Sequence, residues 1–122
     1  MAIEITEEVV LTRVKAKAYF SEEEFPAVPK LLAKLVVAGK LTGTEALEFA
    51  VKQAELLKKD EVFLVVLAAL KYTGVRFNPT TYEGKRSCEI LGKIAPRMMN
   101  VLLGGGPENS TFANYKKVCG LE

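Results

Sequence analysis

The stretch TGTEALEFAVKQAELLKKD, residues 42–60, decides the fold class. Thr42 stands three residues ahead of Glu45, just before an apolar run. That spacing is a capping box: the hydroxyl accepts from a free N–H of the first turn, and the Glu reaches back to the N–H of the cap. Ala46, Leu47, Ala50, Val51, Ala54 and Leu57 then share one stripe at helical period, while Glu45, Glu48, Lys52, Glu55 and Lys59 face water. Glu48 to Lys52 and Glu55 to Lys59 are four apart in the favourable order, each expected to add about 0.3–0.5 kcal/mol. A helix over 43–58 follows.

The same start signal recurs at Ser21/Glu24 and at Thr80/Glu83. Downstream of the opening stretch, Asp60 can cap a helix from Glu61 to about Tyr72. Its run Val62-Phe63-Leu64-Val65-Val66-Leu67 is apolar nearly all round. Such a helix either sits centrally or has a face covered by another subunit; a buried strand is the alternative. Gly74 reads as a stop, and 75–79 as an extended connector, because Asn78 precedes proline. A long helix from about Thr81 to Leu103 is expected next, kinked at Pro96 and eased there by Gly92. Gly104-Gly105-Gly106-Pro107 ends it, and a short helix over about 109–119 returns Phe112, Tyr115 and Val118 to the core.

Upstream, Pro26 and Pro29 fit only first-turn positions, so a turn precedes a helix from about Val28 to Ala38. Leu31, Leu32, Leu35 and Val36 form its apolar face, and Gly39 ends it. Residues 3–20 read two ways. Val10, Val14, Ala16, Ala18 and Phe20 alternate as in a strand, yet Thr6-Glu7-Glu8 opens like a capped helix, with acid early and base late along the dipole. Helix is favoured; an extended N-terminal segment is the alternative. Together these segments describe an all-α fold, a compact bundle of five to six helices, in one helical domain over 1–122.

Length and composition agree with that reading. The 122 residues suit one core, and 49% hydrophobic residues can fill it. No apolar run approaches the roughly 18–20 residues of a membrane span, and the start of the chain shows no basic-then-apolar leader. A cytoplasmic location with no membrane partner is expected. Cys88 and Cys119 fit no metal-ligand spacing; two reduced, partly buried thiols are the first expectation, with a disulfide open because sequence cannot test its geometry. Asn109-Ser110-Thr111 matches a glycosylation acceptor but reads here as a turn or cap.

Several chemistries find no support. The chain has no histidine, which removes the usual proton shuttle near neutral pH, the Ser-His-Asp and Cys-His arrangements, and the commonest metal ligand. Glu22-Glu23-Glu24 reads as an acidic helix start. The glycine run at 104–106 lacks the Gly-Lys-Ser/Thr of a phosphate loop and the spacing of a dinucleotide fingerprint. No catalytic, cofactor-binding or metal-binding residue is nominated, and the chain is expected not to be an enzyme.

Charge is uneven: net −2 over residues 1–70 and +4 over 71–122. Arg76, Lys85, Arg86, Lys93, Arg97, Lys116 and Lys117 form the candidate surface for RNA, since cations aligned on a helix can follow phosphates. Tyr72, Phe77 and Tyr82 lie near enough in sequence to offer stacking faces. Asn78-Pro79-Thr80-Thr81 ahead of a basic helix, then a glycine turn and Asn109-Ser110-Thr111-Phe112, resembles with gaps the last helix and turn of rod-shaped plant-virus coat proteins. The chain departs from that family in lacking its arginine-rich pattern and its tryptophan. The resemblance implies a helical viral structural subunit that assembles around nucleic acid.

The leading expectation is a non-enzymatic interaction or assembly subunit, a homo-oligomer or a member of a protein complex. Val62, Phe63, Val65, Val66 and Met99 are its candidate interface. The alternative is an RNA-binding, nucleocapsid-like or coat-like protein.

Overall fold

In the computed structural model, which describes residues 4–70, 73, 80–93 and 119, the capping box at Thr42 is formed as its spacing requires. The Thr42 hydroxyl accepts from the Glu45 N–H at 3.0 Å, and the Thr42 N–H donates back to Glu45 Oε1 at 3.0 Å. Among the described residues there are five helices: α1 Glu7–Ala16, α2 Val28–Val37 with a 3-10 turn Phe25–Ala27 before it, α3 Gly43–Leu57, α4 Asp60–Leu70 and α5 Tyr82–Gly92; α1, α3 and α5 start at a threonine cap. The fold is all-α, its helices packed closely together, and no strand occurs among the described residues.

The ambiguous N-terminal segment resolves as helix. Thr6 caps α1 by accepting from the Val9 N–H at 3.2 Å, and Glu7 and Glu8 occupy the first turn. The helix stops at Ala16, short of Phe20, because Lys17 enters the left-handed region at φ 56° and donates its N–H back to Arg13 and Val14 carbonyls. Lys58 ends α3 in the same way at φ 57°. Gly39, at φ 76°, takes the left-handed position just past α2.

Of the two other start signals, the first forms at the expected turn before α2 and the second is displaced. Ser21 and Glu24 form a reciprocal box, at 2.9 and 3.2 Å, and it closes a turn ahead of the 3-10 segment. At the fifth helix the cap is Thr81, not Thr80: Thr81 is extended at ψ 159° and its hydroxyl accepts from Gly84 N–H at 2.9 Å. The start therefore slides one residue, and Glu83 is at the second position instead of the third. The fifth helix ends at Gly92 with Lys93 as its C-cap, so the single helix expected to run on to Leu103 is interrupted there; the Pro96 kink, the 75–79 connector, the 104–107 turn and the final 109–119 helix lie outside the described residues.

One hydrophobic cluster draws on every helix. Val10, Leu32, Phe63 and Leu70 are fully buried in it, with Ala50 and Val51 from α3 and Ile90 and Leu91 from α5. Burying such a Leu or Phe contributes about 1.5–3 kcal/mol. α4 packs on α2 and α3, α1 lies on α2, and α5 lies on α3. Phe49 and Gln53 of α3 are buried too, so its buried stripe is wider than the Ala/Leu/Val stripe read from sequence. Phe49 supports the 17–24 connection: Tyr19 stacks on it at 5.7 Å and Phe20 meets it edge-on at 5.9 Å. Arg13 lies 4.5 Å above the Phe20 ring and forks onto both oxygens of Glu24 at 3.2 Å, which fixes α1 to the turn before α2.

The expected ion pairs within α3 are replaced by others. Lys52 approaches Glu55 at 3.9 Å, and Lys59 pairs with Glu22 of the connection, because that carboxylate reaches the end of α3 from outside the helix. The thiol expectation is also corrected: Cys88 and Cys119 form a disulfide. Their Cα atoms stand 5.3 Å apart, within the span a disulfide bridges; a separation of 31 residues conceals that proximity from sequence reading.

Candidate functional site

Burial decides which nominated interface residues are available. Val62, Phe63 and Val66 are turned into the core. Val65, one helical step away, is 49% exposed. Met99 lies outside the described residues. The all-round apolar run is thus mostly explained by the central position of α4 between α2 and α3, and a single valine of the nominated set faces outward.

A broader apolar surface lies beside it, between α2 and the end of α4. Val28, Leu32 and Leu35 commit one side of α2 to the core. The opposite side presents Lys30, Ala33, Lys34 and Val37, spaced i, i+3, i+4, i+7 over about two turns. Ala69 and Thr73, four residues apart, line this surface from the end of α4, and Glu7 of α1 lines it as well. These residues line an open, shallow groove of about 560 Å³. Its floor is apolar, because Ala33, Ala38 and Ala69 are too short to fill the space and Val37 stands 72% exposed within it. Thr73 directs its hydroxyl to the Leu70 carbonyl at 2.7 Å. The groove has no apolar repeat in the sequence to mark it. The available signal was Val37 in the Val36-Val37 pair: the apolar face of α2 accounts for Val36 and leaves Val37 on the lysine side.

A second, polar cleft of about 160 Å³ lies between the 17–19 segment, α3 and Glu83. Lys15, Glu45 and Lys52 of this cleft are paired inside the fold. Lys15 donates to Glu45 at 2.7 Å, and that contact, with the Thr42 N–H, holds the Glu45 carboxyl below the usual carboxylate range. Burial, then the fields of Glu48, Glu83 and Glu55, push the Tyr19 phenol upward. Both groups move away from neutral pH, opposite to the tuning of a general acid or base.

The nominated basic residues divide in the same way. Lys85, Arg86 and Lys93 are brought together on α5 and its C-cap. Arg86 is committed to Glu89 at 2.6 Å, which raises its already high pKa. Lys85 and Lys93 are exposed and form no ion pair among the described residues. Tyr82, a nominated stacking face, donates its hydroxyl to Glu55 at 2.7 Å and has the Lys52 ammonium 4.5 Å from its ring centre. Arg76, Arg97, Lys116, Lys117, Tyr72 and Phe77 lie outside the described residues. Among the described residues no cluster of metal-ligating side chains occurs, and no helix is long and apolar enough to cross a membrane.

The chain matches no protein-family model, and comparison with curated proteins and with solved structures finds no match. The functional reading therefore rests on the surfaces just described.

Proposed function

We propose that the domain is a non-enzymatic assembly subunit that docks a protein segment in the groove between α2 and the end of α4. The observation that carries this reading is Val37, 72% exposed over an otherwise apolar floor. A valine held open to water on a largely apolar surface is stabilised when that surface is covered. The groove volume is of the size that encloses a small ligand or the anchor residues of a docked segment. It is too small to be a whole interface, which needs about 800 Å² per partner; it serves as the buried centre around which flatter contacts, Val65 included, are arranged.

The test is the mass of the protein in solution, alone and with its partner, for the wild type and for Val37→Glu. Val37→Glu changes an exposed side chain, so helix content and melting temperature should hold while assembly is lost. A mass and a partner affinity that ignore Val37→Glu would sink the proposal. Nuclease treatment and the ultraviolet absorbance ratio, read on the same samples, separate this reading from its rival. RNA that co-purifies and is released by Lys85→Gln with Lys93→Gln would move the function to nucleic-acid binding.

A further inference from the structure

We infer that the occupant of the α2–α4 groove is an acidic amphipathic helix of a different protein. The inference rests on the docking reading above and gives it a partner chemistry.

Backbone hydrogen bonding favours a helix in this groove. An extended segment laid over Ala33, Val37 and Ala69 would carry its own N–H and C=O groups into contact with an apolar floor. Each group left unpaired there is costly, and no strand edge exists among the described residues to receive them. A helix satisfies its backbone internally and needs only a stripe of apolar side chains. The small residues Ala33 and Ala69 allow such a helix to approach at the close interaxial distance of packed helices, about 8–10 Å. The i, i+3, i+4, i+7 spacing on α2 supplies the ridge against which it packs.

The charge on the rim favours an acidic partner. Lys30 and Lys34 stand one turn apart along the rim, exposed, with no ion pair among the described residues. Among the described residues Glu7 is the one acid that lines the groove. The rim is therefore net positive, and carboxylates four residues apart on an incoming helix would face both lysines. The same lysines disfavour a second copy. A two-fold interface places the same patch on both partners, so pairing α2 with α2 around Val37 would bring Lys34 towards its own equivalent, like charge against like.

The experiment uses two synthetic helical peptides of about four turns, each with a leucine stripe. One carries Glu beside the stripe at i and i+4; its twin carries Lys at those positions. Binding to the full chain is followed by fluorescence anisotropy at low and high salt. The acidic peptide should bind about tenfold tighter than its twin at low salt, and salt should narrow the gap. Lys30→Glu with Lys34→Glu should reverse the preference, and Val37→Glu should abolish both. Equal binding of the twins, lost in Val37→Glu, overturns the acidic partner and leaves the docking reading intact. No binding of either peptide overturns the inference, and the solution-mass measurement then decides the docking reading by itself. A homodimer dissolved by Val37→Glu also overturns it, because the second copy is then the occupant.

Discussion

Gln53 spends both halves of its carboxamide on one residue, Phe20: the Phe20 N–H donates to Gln53 Oε1 at 2.8 Å, and Gln53 Nε2 donates to the Phe20 carbonyl at 2.9 Å. Gln53 is fully buried and Phe20 nearly so. The side chain thus does for an irregular connection what a neighbouring strand would do, pairing a buried backbone N–H and C=O that no helix reaches. Gln53→Leu keeps the volume and strands both backbone groups. The expected loss is about 2–4 kcal/mol, read as a lower denaturant midpoint. A loss under about 0.5 kcal/mol, the range of ordinary surface substitutions, would show that water replaces the carboxamide.

The helix caps give a graded series. Thr6, Thr42 and Thr81 each accept from an otherwise free N–H of the first turn. Thr→Ala at each should cost about 0.5–2 kcal/mol, while Thr44→Ala, inside the first turn of α3, should cost much less. Thr81→Ala costing as little as Thr44→Ala in chemical denaturation would return the fifth helix start to Thr80.

Acid should remove part of the link between α1 and α3. Lys15, first, and the Thr42 N–H depress the Glu45 carboxyl. A depressed carboxyl contributes stability above its unfolded value, about 4.3, and that contribution fades as pH falls through the folded value. Glu45→Gln retains a cap partner but not the charge. It should be less stable than wild type at pH 7 and equal to it once the Glu45 carboxyl of the wild type is protonated. A stability difference that persists unchanged at pH 2 would refute the assignment.

The two left-handed lysines point to a gain. Lys17 and Lys58 hold φ 56° and 57°, where a side chain is strained. Glycine carries no such penalty, although it adds freedom to the unfolded chain. Lys17→Gly and Lys58→Gly should each stabilise the fold by about 0.5–1 kcal/mol. Calorimetry showing a lower melting temperature for both would mean the lysine side chains make compensating contacts.

Much of this fold could be read from residue order, for identifiable reasons. The α3 stripe and the Thr42 box depend on neighbours three and four apart, and sequence displays those directly. The α1 assignment rested on Thr6-Glu7-Glu8 for the same reason. What failed depends on the third dimension. Gln53 looks like a surface residue until Phe20 is brought beside it. Lys59 seems matched to Glu55 within its helix, but Glu22 arrives from another segment. The groove escaped because alanines next to a helix end carry no periodic signal; it is defined by the side chains that are too short to fill it. The α4 run was legible as apolar, but only its packing between α2 and α3 shows that Val62, Phe63 and Val66 point inward while Val65 does not.

The disulfide supplies a further measurement. Bridging residues 31 apart should stabilise the fold by about 3–4 kcal/mol through the unfolded chain, so reductant should lower the denaturant midpoint. Disulfides persist in oxidising compartments and are reduced in the cytosol. Alkylation of protein trapped at its source should find no free thiol if the bond is held there. Two free thiols would mean that the pair stands reduced where the chain works.

The bond also changes what a cut in the chain means. Residues 89–118 lie within a covalent loop closed at Cys88 and Cys119. A protease that nicks this loop once leaves two fragments still joined, so the product migrates as one species until reductant separates it. Between Cys88 and Cys119 the covalent integrity of the molecule no longer depends on an unbroken backbone.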